Sequence, residues 1–190
     1  MSVAPAPPLL LASTSPRRRE ILEQLGIPFD AVAPNYDEAD EDPVAHAVGK
    51  ARSVLELAEG RPVLGCDTEV ICGGRVYGKP ETAEAAAEML ESLSWRTHEV
   101  VSGLCLATHA WEEVHREVTR VTFRALTPRE LGAYVATGEW EGRAGGYAIQ
   151  GVGAALVQRI EGDYLNVVGL PAATLVDVLA RRFAGIYGFG

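Results

Sequence analysis

Cysteine is scarce in this chain. There are three in 190 residues, Cys66, Cys72 and Cys105, an odd number with no CxxC spacing. A disulfide framework is therefore not expected, and the three read as reduced thiols of a cytoplasmic protein. The four histidines, His46, His98, His109 and His115, show no HExxH-type spacing, so a histidine-built metal site is not expected either. No GxSxG elbow occurs, which removes the commonest serine-hydrolase signature. No apolar run is long enough to span a bilayer. The opening MSVAPAPP has no basic region, and LLLA is too short for a secretory core, so no membrane partner is expected. Positive charge is also short: 17 Lys and Arg against 26 Asp and Glu give a formal net charge of -9. General nucleic-acid binding is thereby disfavoured. A phosphate-bearing ligand would need a local basic pocket, helped by a metal cation.

What is present is core-forming. The chain is 47% hydrophobic and 23% charged, enough for one globular domain. An Ala/Pro tail, residues 1–8, precedes a single domain spanning 9–190. Apolar runs and helical periodicities alternate, which predicts an α/β protein. Strands are expected over 9–12, 29–33, 63–71, 97–110, 113–125 and 155–160, with a bulge in the long pair. Gly73-Gly74 predicts a hairpin. Helices are expected from Pro16 to Gly26, 43–59, 82–93, 128–138 and 171–183. The helix at 128 is opened by a capping box, Thr127 to Glu130.

The stretch Leu9 to Leu25, LLLASTSPRRREILEQL, carries the first chemistry. Pro16 fits the first helical position, with Ser15 as N-cap. Three arginines then open the helix at its positive end, where anions are favoured. Backbone N–H groups, hydroxyls and guanidinium forks converging on one helix start suit a polyphosphate. Arg17 and Arg18 lie four residues before Ile21 and Leu22 and so fall on the buried side. Arg19 lies four before Glu23 and is expected to pair with it on the solvent face.

Further along, the acidic run Tyr36 to Asp42 offers carboxylates for a divalent metal, or simply solvated loop charge. Asp67 and Glu69 interrupt an apolar strand and share one of its sides. A carboxylate there is costly without a partner or a metal, unless it merely ends the strand. Gly73 to Lys79 matches most of a phosphate-binding P-loop, but Pro80 stands where Ser or Thr would hold magnesium, and a hairpin is the wrong context. Lys79 stays a candidate phosphate contact. Gly151-x-Gly153 fails as a dinucleotide fingerprint because Leu156 occupies the third glycine position. Carboxylates, lysines, arginines and hydroxyls remain, a set suited to metal-assisted attack by water on a phosphate chain.

Several ordered motifs together resemble the Maf family of nucleoside triphosphate pyrophosphatases. They are Ser13 to Arg18 (STSPRR), Lys50-Ala51, Gly65 to Thr68 (GCDT), Gly78 to Pro80 (GKP), Ala144 to Gly151 (AGGYAIQG) and Val168 to Pro171 (VGLP). They run from about Leu9 to Phe183. The resemblance implies an elongated α/β protein with a mixed β-sheet flanked by helices, like inosine triphosphatases, with two lobes around a central cleft. It implies a homodimer. It also implies hydrolysis of a nucleoside triphosphate between the α and β phosphates with a divalent cation, Mg, Mn or Co. On that resemblance Asp67 is the base, with Lys50 and Lys79 in the catalytic set. Ser13, Arg17 and Arg18 contact substrate, and Glu38 and Asp67 hold the metal. From the residues themselves, Ser15 joins the substrate contacts as one of the hydroxyls at the helix start, and Glu69, on the same side of the strand as Asp67, adds a further metal carboxylate.

The family has a dTTP/UTP branch and a 7-methyl-GTP branch. Arg17, Thr68 and Gln150 look like the first. A glutamine amide can donate and accept, matching the edge of uracil or thymine, whereas a Glu would accept from guanine. Three positions depart from the family pattern: Glu69 where an apolar residue is usual, Trp95 where glycine is usual, and Ser102 where Thr is common. Two alternatives stand beside the pyrimidine enzyme: a 7-methyl-GTP pyrophosphatase, and a nucleotide-binding regulator of septum formation. Asp67, Lys50 and Lys79 together favour catalysis, because a binding module needs no base.

Overall fold

The structure is a computed structural model and describes residues 6–37 and 42–189. Seven strands form one mixed sheet. They are β1 (Leu9–Ala12), β2 (Phe29–Val32), β3 (Val63–Cys72), β4 (Arg75–Tyr77), β5 (Thr97–Ala107), β6 (Glu112–Phe123) and β7 (Val157–Glu161). Their order is β2-β1-β3-β5-β6-β7, with β4 paired to β3. The helices are α1 (Pro16–Gln24), α2 (Pro43–Ser53), α3 (Ala83–Leu93), α4 (Pro128–Val135), α5 (Tyr164–Val168) and α6 (Ala172–Phe183). The α/β class and the mixed sheet are as the sequence led us to expect. β1 lies between two parallel neighbours, with Leu9 opposite Phe29 and Leu10 opposite Val63. That position explains its unbroken apolar sequence and complete burial.

Several boundaries differ from the sequence reading, each for a local reason. The helix expected over 43–59 stops at Ser53. Val54 leaves helical geometry at φ -120°, and Leu55–Ala58 tighten into a 3-10 turn closed by left-handed Glu59 and Gly60. The last strand starts at Val157, because Gly151–Leu156 are also a 3-10 turn. A register shift falls between β6 and β7, at Thr122/Phe123. Helix α5 went unpredicted: Gly162-Asp163 read as a stop, but Asp163 accepts from the Leu165 amide at 2.8 Å and opens the turn. The Gly73-Gly74 hairpin forms with both φ positive, and the Thr127–Glu130 capping box is complete. Trp95 adopts φ 58° and is 78% exposed, so a tryptophan holds a left-handed turn here. That conformation costs roughly 1–2 kcal/mol for an L-residue.

Residue contacts divide the chain into two compact units, and β3, β5 and β6 each contribute to both. The first comprises the chain to Asp67, Ser102–Glu117 and Gly169–Gly190. In it α2 lies unusually close to the sheet. A Cβ on Gly65 would stand 2.1 Å from the Ala47 carbonyl oxygen, and one on Gly103 would stand 2.1 Å from that of Pro43. Ala12, Ala47, Ala51 and Ala58 keep this layer thin. The second comprises Thr68–Val101 and Val118–Val168. Its centre includes His98, Phe123 and Tyr147, stacked edge to face. Burial pushes the His98 imidazole down to about 4, so it is neutral at physiological pH and bonds the Tyr147 hydroxyl at 2.8 Å.

The end of α6 is docked in the first unit by charge and aromatic contact. Glu113 accepts from Arg181 and Arg182 at 2.7 Å each and contacts His115 at 3.0 Å. Arg182 also covers the Trp111 ring at 4.7 Å. Partial burial pushes the Glu113 carboxyl up, but the Arg182, His115 and Arg181 contacts outweigh it and hold the group at about 2. A depressed carboxylate stabilises the fold above its unfolded value of 4.5, and that stabilisation is lost as pH falls toward 2. Glu113→Gln should therefore lower Tm at pH 7, and the gap to wild type should close on acidification from about 4.5 toward 2. Thermal melts across that range read it directly, and a gap independent of pH would contradict the assignment.

Candidate active site

Helix α2 places His46 and Lys50 one turn apart on the same face. Because Gly65 lets that helix close onto β3, both side chains reach the strand. Lys50 donates to Asp67 Oδ1 at 2.5 Å, and His46 Nδ1 lies 3.2 Å from Oδ2. The Lys50 and His46 side chains are 9% and 4% exposed, and Asp67 is 14% exposed. Burial pushes the Asp67 carboxyl up, but Lys50, Arg18 and His46 outweigh it, and the net shift is downward. Asp67 is thus a carboxylate whose two oxygens both face hydrogen-bonding nitrogens.

The arginine-rich helix start belongs to the same unit. Ser15 occupies the N-cap position of α1 and Pro16 the first turn, but the Ser15 side chain makes no capping bond. Instead the Ser15 amide donates to Ser13 Oγ at 3.1 Å, and Arg18 donates to the same oxygen at 3.1 Å. Arg18 Nε also bonds the Gly169 carbonyl at 2.9 Å. Gly169, in the VGLP stretch, has φ 132°, a backbone that L side chains rarely adopt. The expected register holds: Arg18 is buried, Arg17 half-buried and Arg19 exposed. The expected Arg19–Glu23 ion pair is not among those formed by the described residues. Ser13, Arg18, Lys50 and Asp67 are brought together, since Arg18 acts electrostatically on Asp67.

The second unit carries the remaining candidates. Thr68 and Glu69 follow Asp67 on β3 and are half-buried. Lys79 is exposed in the Gly78–Pro80 loop, where the Gly78 carbonyl accepts from the Gly145 amide at 3.0 Å. That bond ties the GKP motif to AGGYAIQG. Gln150 is exposed at the end of the latter. Glu38 lies outside the described residues.

The metal expectation needs one correction. Histidine was set aside because its spacing is wrong, yet His46, Asp67 and Glu69 each offer a ligand atom within 4.8 Å of the others. His46 Nε2 is buried without a hydrogen-bond partner, and two carboxylates stand with it, so the donor set fits a divalent cation. Spacing within a strand or helix could not reveal His46, because the pairing crosses from α2 to β3. The readable signal was its place four residues before Lys50. The three cysteines are buried free thiols, as the sequence led us to expect. Among the described residues no helix is long and apolar enough to cross a membrane.

Comparison with known proteins bears on this arrangement as a whole. The family model described as Maf-like protein matches residues 8–182. A dTTP/UTP pyrophosphatase of Moorella thermoacetica is 48% identical over 189 residues, covering 95% of this chain and 97% of its own. One from Gloeobacter violaceus is 47% identical over 181 residues, covering 91% and 95%. One from Deinococcus radiodurans is 43% identical over 196 residues and covers both chains completely. With a family match over nearly all of its length and relatives this similar end to end, the chain belongs to the Maf-like protein family.

Proposed function

We propose that this protein is a nucleoside triphosphate pyrophosphatase acting on dTTP and UTP. Water adds to the α-phosphorus, the bridging bond to the β-phosphate breaks, and the products are a nucleoside monophosphate and pyrophosphate. The observation that carries the reading is the buried Asp67 carboxylate held between Lys50 and His46, in one unit with Arg18 and Ser13. The full-length likeness to named dTTP/UTP pyrophosphatases supports the substrate class.

The chemistry follows from charge. A triphosphate gains most from fixed cations and oriented donors, because phosphoryl transfer asks for positioning and charge neutralisation more than covalent help. Ser13 Oγ accepts from two donors, which leaves its own proton for a phosphate oxygen. Ser15, Arg17 and the uncapped amides at the start of α1 extend the same anion-binding surface. Lys79 adds a cation on the Gly78–Pro80 loop. Asp67 takes the proton of the attacking water. With Lys50 on one oxygen it is a poor base, so it gains strength when an anionic substrate draws the ammonium toward phosphate. His46, Asp67 and Glu69 would hold a divalent cation, which supplies charge neutralisation of the polyphosphate. Donors of this kind suit Mn or Co as well as Mg. We also propose that residues 9–190 act as a single catalytic domain in the cytoplasm, as a homodimer. Neither nucleic acid nor membrane is a partner.

Pyrophosphate release across a panel of nucleoside triphosphates, with Mg, Mn or Co, tests the reaction. Turnover of UTP and dTTP above the other triphosphates is expected, and no release from any of them would refute it. A wild-type preference for 7-methyl-GTP would move the chain to the other branch.

Asp67→Asn should reduce kcat roughly 10²–10⁴-fold. It should also lower Tm, since buried Lys50 loses its counter-charge. A folded variant with near-normal pyrophosphate release would remove Asp67 from the mechanism. Among the arginines, Arg18→Ala should impair turnover most, Arg17→Ala less, and Arg19→Ala hardly at all. Equal effects at all three positions would show that burial along α1 does not sort their roles.

Gln150→Glu should cut kcat/KM for UTP relative to GTP and 7-methyl-GTP. A bidentate amide–base contact discriminates by about 1–3 kcal/mol, roughly 5–150-fold. The exposure of Gln150 places the effect in that range rather than at the larger values of sealed sites. An unchanged substrate profile would show that another group reads the base.

A further inference from the structure

Resting on the base-reading role of Gln150, we propose that Glu139 is the positioning residue that fixes how Gln150 is presented, and hence sets base selectivity. The stretch around Gln150 is anchored on both sides and open only in the middle. On the N-terminal side the Ala148 amide donates to the buried Tyr134 hydroxyl at 2.9 Å, and Ile149 is buried. On the C-terminal side the Glu139 carboxylate accepts from the Val152 and Gly153 amides, each at 3.0 Å. Between these anchors Gln150 and Gly151 are exposed. Gln150 is the N-cap residue of the 3-10 turn whose first amides Glu139 holds.

The physics favours an ionised side chain here. The first amides of any helical turn have no intrahelical acceptor. A carboxylate spanning two of them makes charge-assisted bonds stronger than a neutral acceptor would. Gln150, at the N-cap position, makes no side-chain capping bond of its own. The seat also demands glycine next door. A Cβ on Gly151 would stand 2.5 Å from Glu139 Oε1, and Gly151 has φ 66°. Gly151 and Glu139 are therefore two halves of one device, the glycine leaving the space that the carboxylate fills. Without it the Val152 and Gly153 amides lose their acceptor, Arg124 holds only the far end of the turn through Leu156, and the Gln150 amide samples orientations that no longer match one base edge.

The test compares Glu139→Gln, Glu139→Ala, Gly151→Ala, the Glu139→Ala/Gly151→Ala double variant and Gln150→Ala. For each, kcat/KM for UTP and GTP and Tm are measured. Glu139→Ala should lose nearly all of the UTP-over-GTP preference that Gln150→Ala loses, mainly through KM for UTP. GTP turnover should fall little. Glu139→Gln keeps one acceptor oxygen and should lose part of it. Gly151→Ala displaces the carboxylate, so the double variant should be no less selective than either single one, the non-additivity of residues that share a contact. If Gln150→Ala loses selectivity while Glu139→Ala keeps it, the positioning role is overturned and the base-reading role stands. If both keep it, both roles are overturned. If Glu139→Ala slows UTP and GTP equally, with a fall in Tm, the carboxylate is only structural and the proposal fails.

Discussion

The ion pair between Lys50 and Asp67 is the constraint on which the site depends. A lysine and a carboxylate at this depth are each costly alone, and together they stabilise the fold only if the geometry is close and the remaining donors are served. Closeness comes from backbone approach. Gly65 and the alanines of α2 bring the helix axis near enough for the Lys50 ammonium to sit 2.5 Å from the strand carboxylate, with His46 on the other oxygen. A larger residue at 65 would meet the Ala47 carbonyl before it met any side chain, and so would lift the whole helix. On the proposed reaction, small residues in this layer are a catalytic requirement expressed through packing.

The same logic resolves the electrostatic conflict at α1. Three arginines at a helix N-terminus oppose the helix dipole. The fold offsets one of them by giving Arg18 a backbone carbonyl, that of Gly169, and a hydroxyl, that of Ser13. Both contacts order the Arg18 side chain before a ligand arrives. Ordering before binding lowers the entropy lost when phosphate arrives. Gly169 can turn its carbonyl inward because its positive φ is one that other residues avoid. VGLP therefore belongs with STSPRR mechanically, although more than 150 residues separate Arg18 from Gly169 by the count of 151.

Much of this was legible in the sequence, and the limits have physical causes. The α/β class, β1, α1, the hairpin and the capping box followed from local patterns that depend on a few neighbouring residues. Asp67 and Arg18 stood out because each is a charge where its own element should be apolar or acidic. His46 did not, since a histidine on a helix face looks the same whether it packs or bonds a carboxylate on another element. Glu139 was invisible for a related reason: its partners are backbone amides, which no side-chain pattern records. The 3-10 turns at 55–58 and 151–156 were read as helix and strand because their composition is indistinguishable from either. The AGGYAIQG motif picked out Gln150 but carries no record of its exposure, which the structure shows.

That exposure changes where selectivity must come from. A sealed polar pocket rejects the wrong base by leaving buried groups unpaired, whatever the flexibility of the reader. An exposed amide has no such penalty to impose, because water can satisfy it when the base cannot. Its discrimination then rests on orientation: a fixed amide meets one donor–acceptor pattern, while a mobile one meets several with equal ease. Orientation in turn is a backbone property of the segment that carries it. Tyr134 and Glu139 fix that backbone on either side of Gln150, with bonds to Ala148, Val152 and Gly153. On the proposed base-reading role of Gln150, rigidity of the main chain in this loop takes the place of enclosure in a buried site.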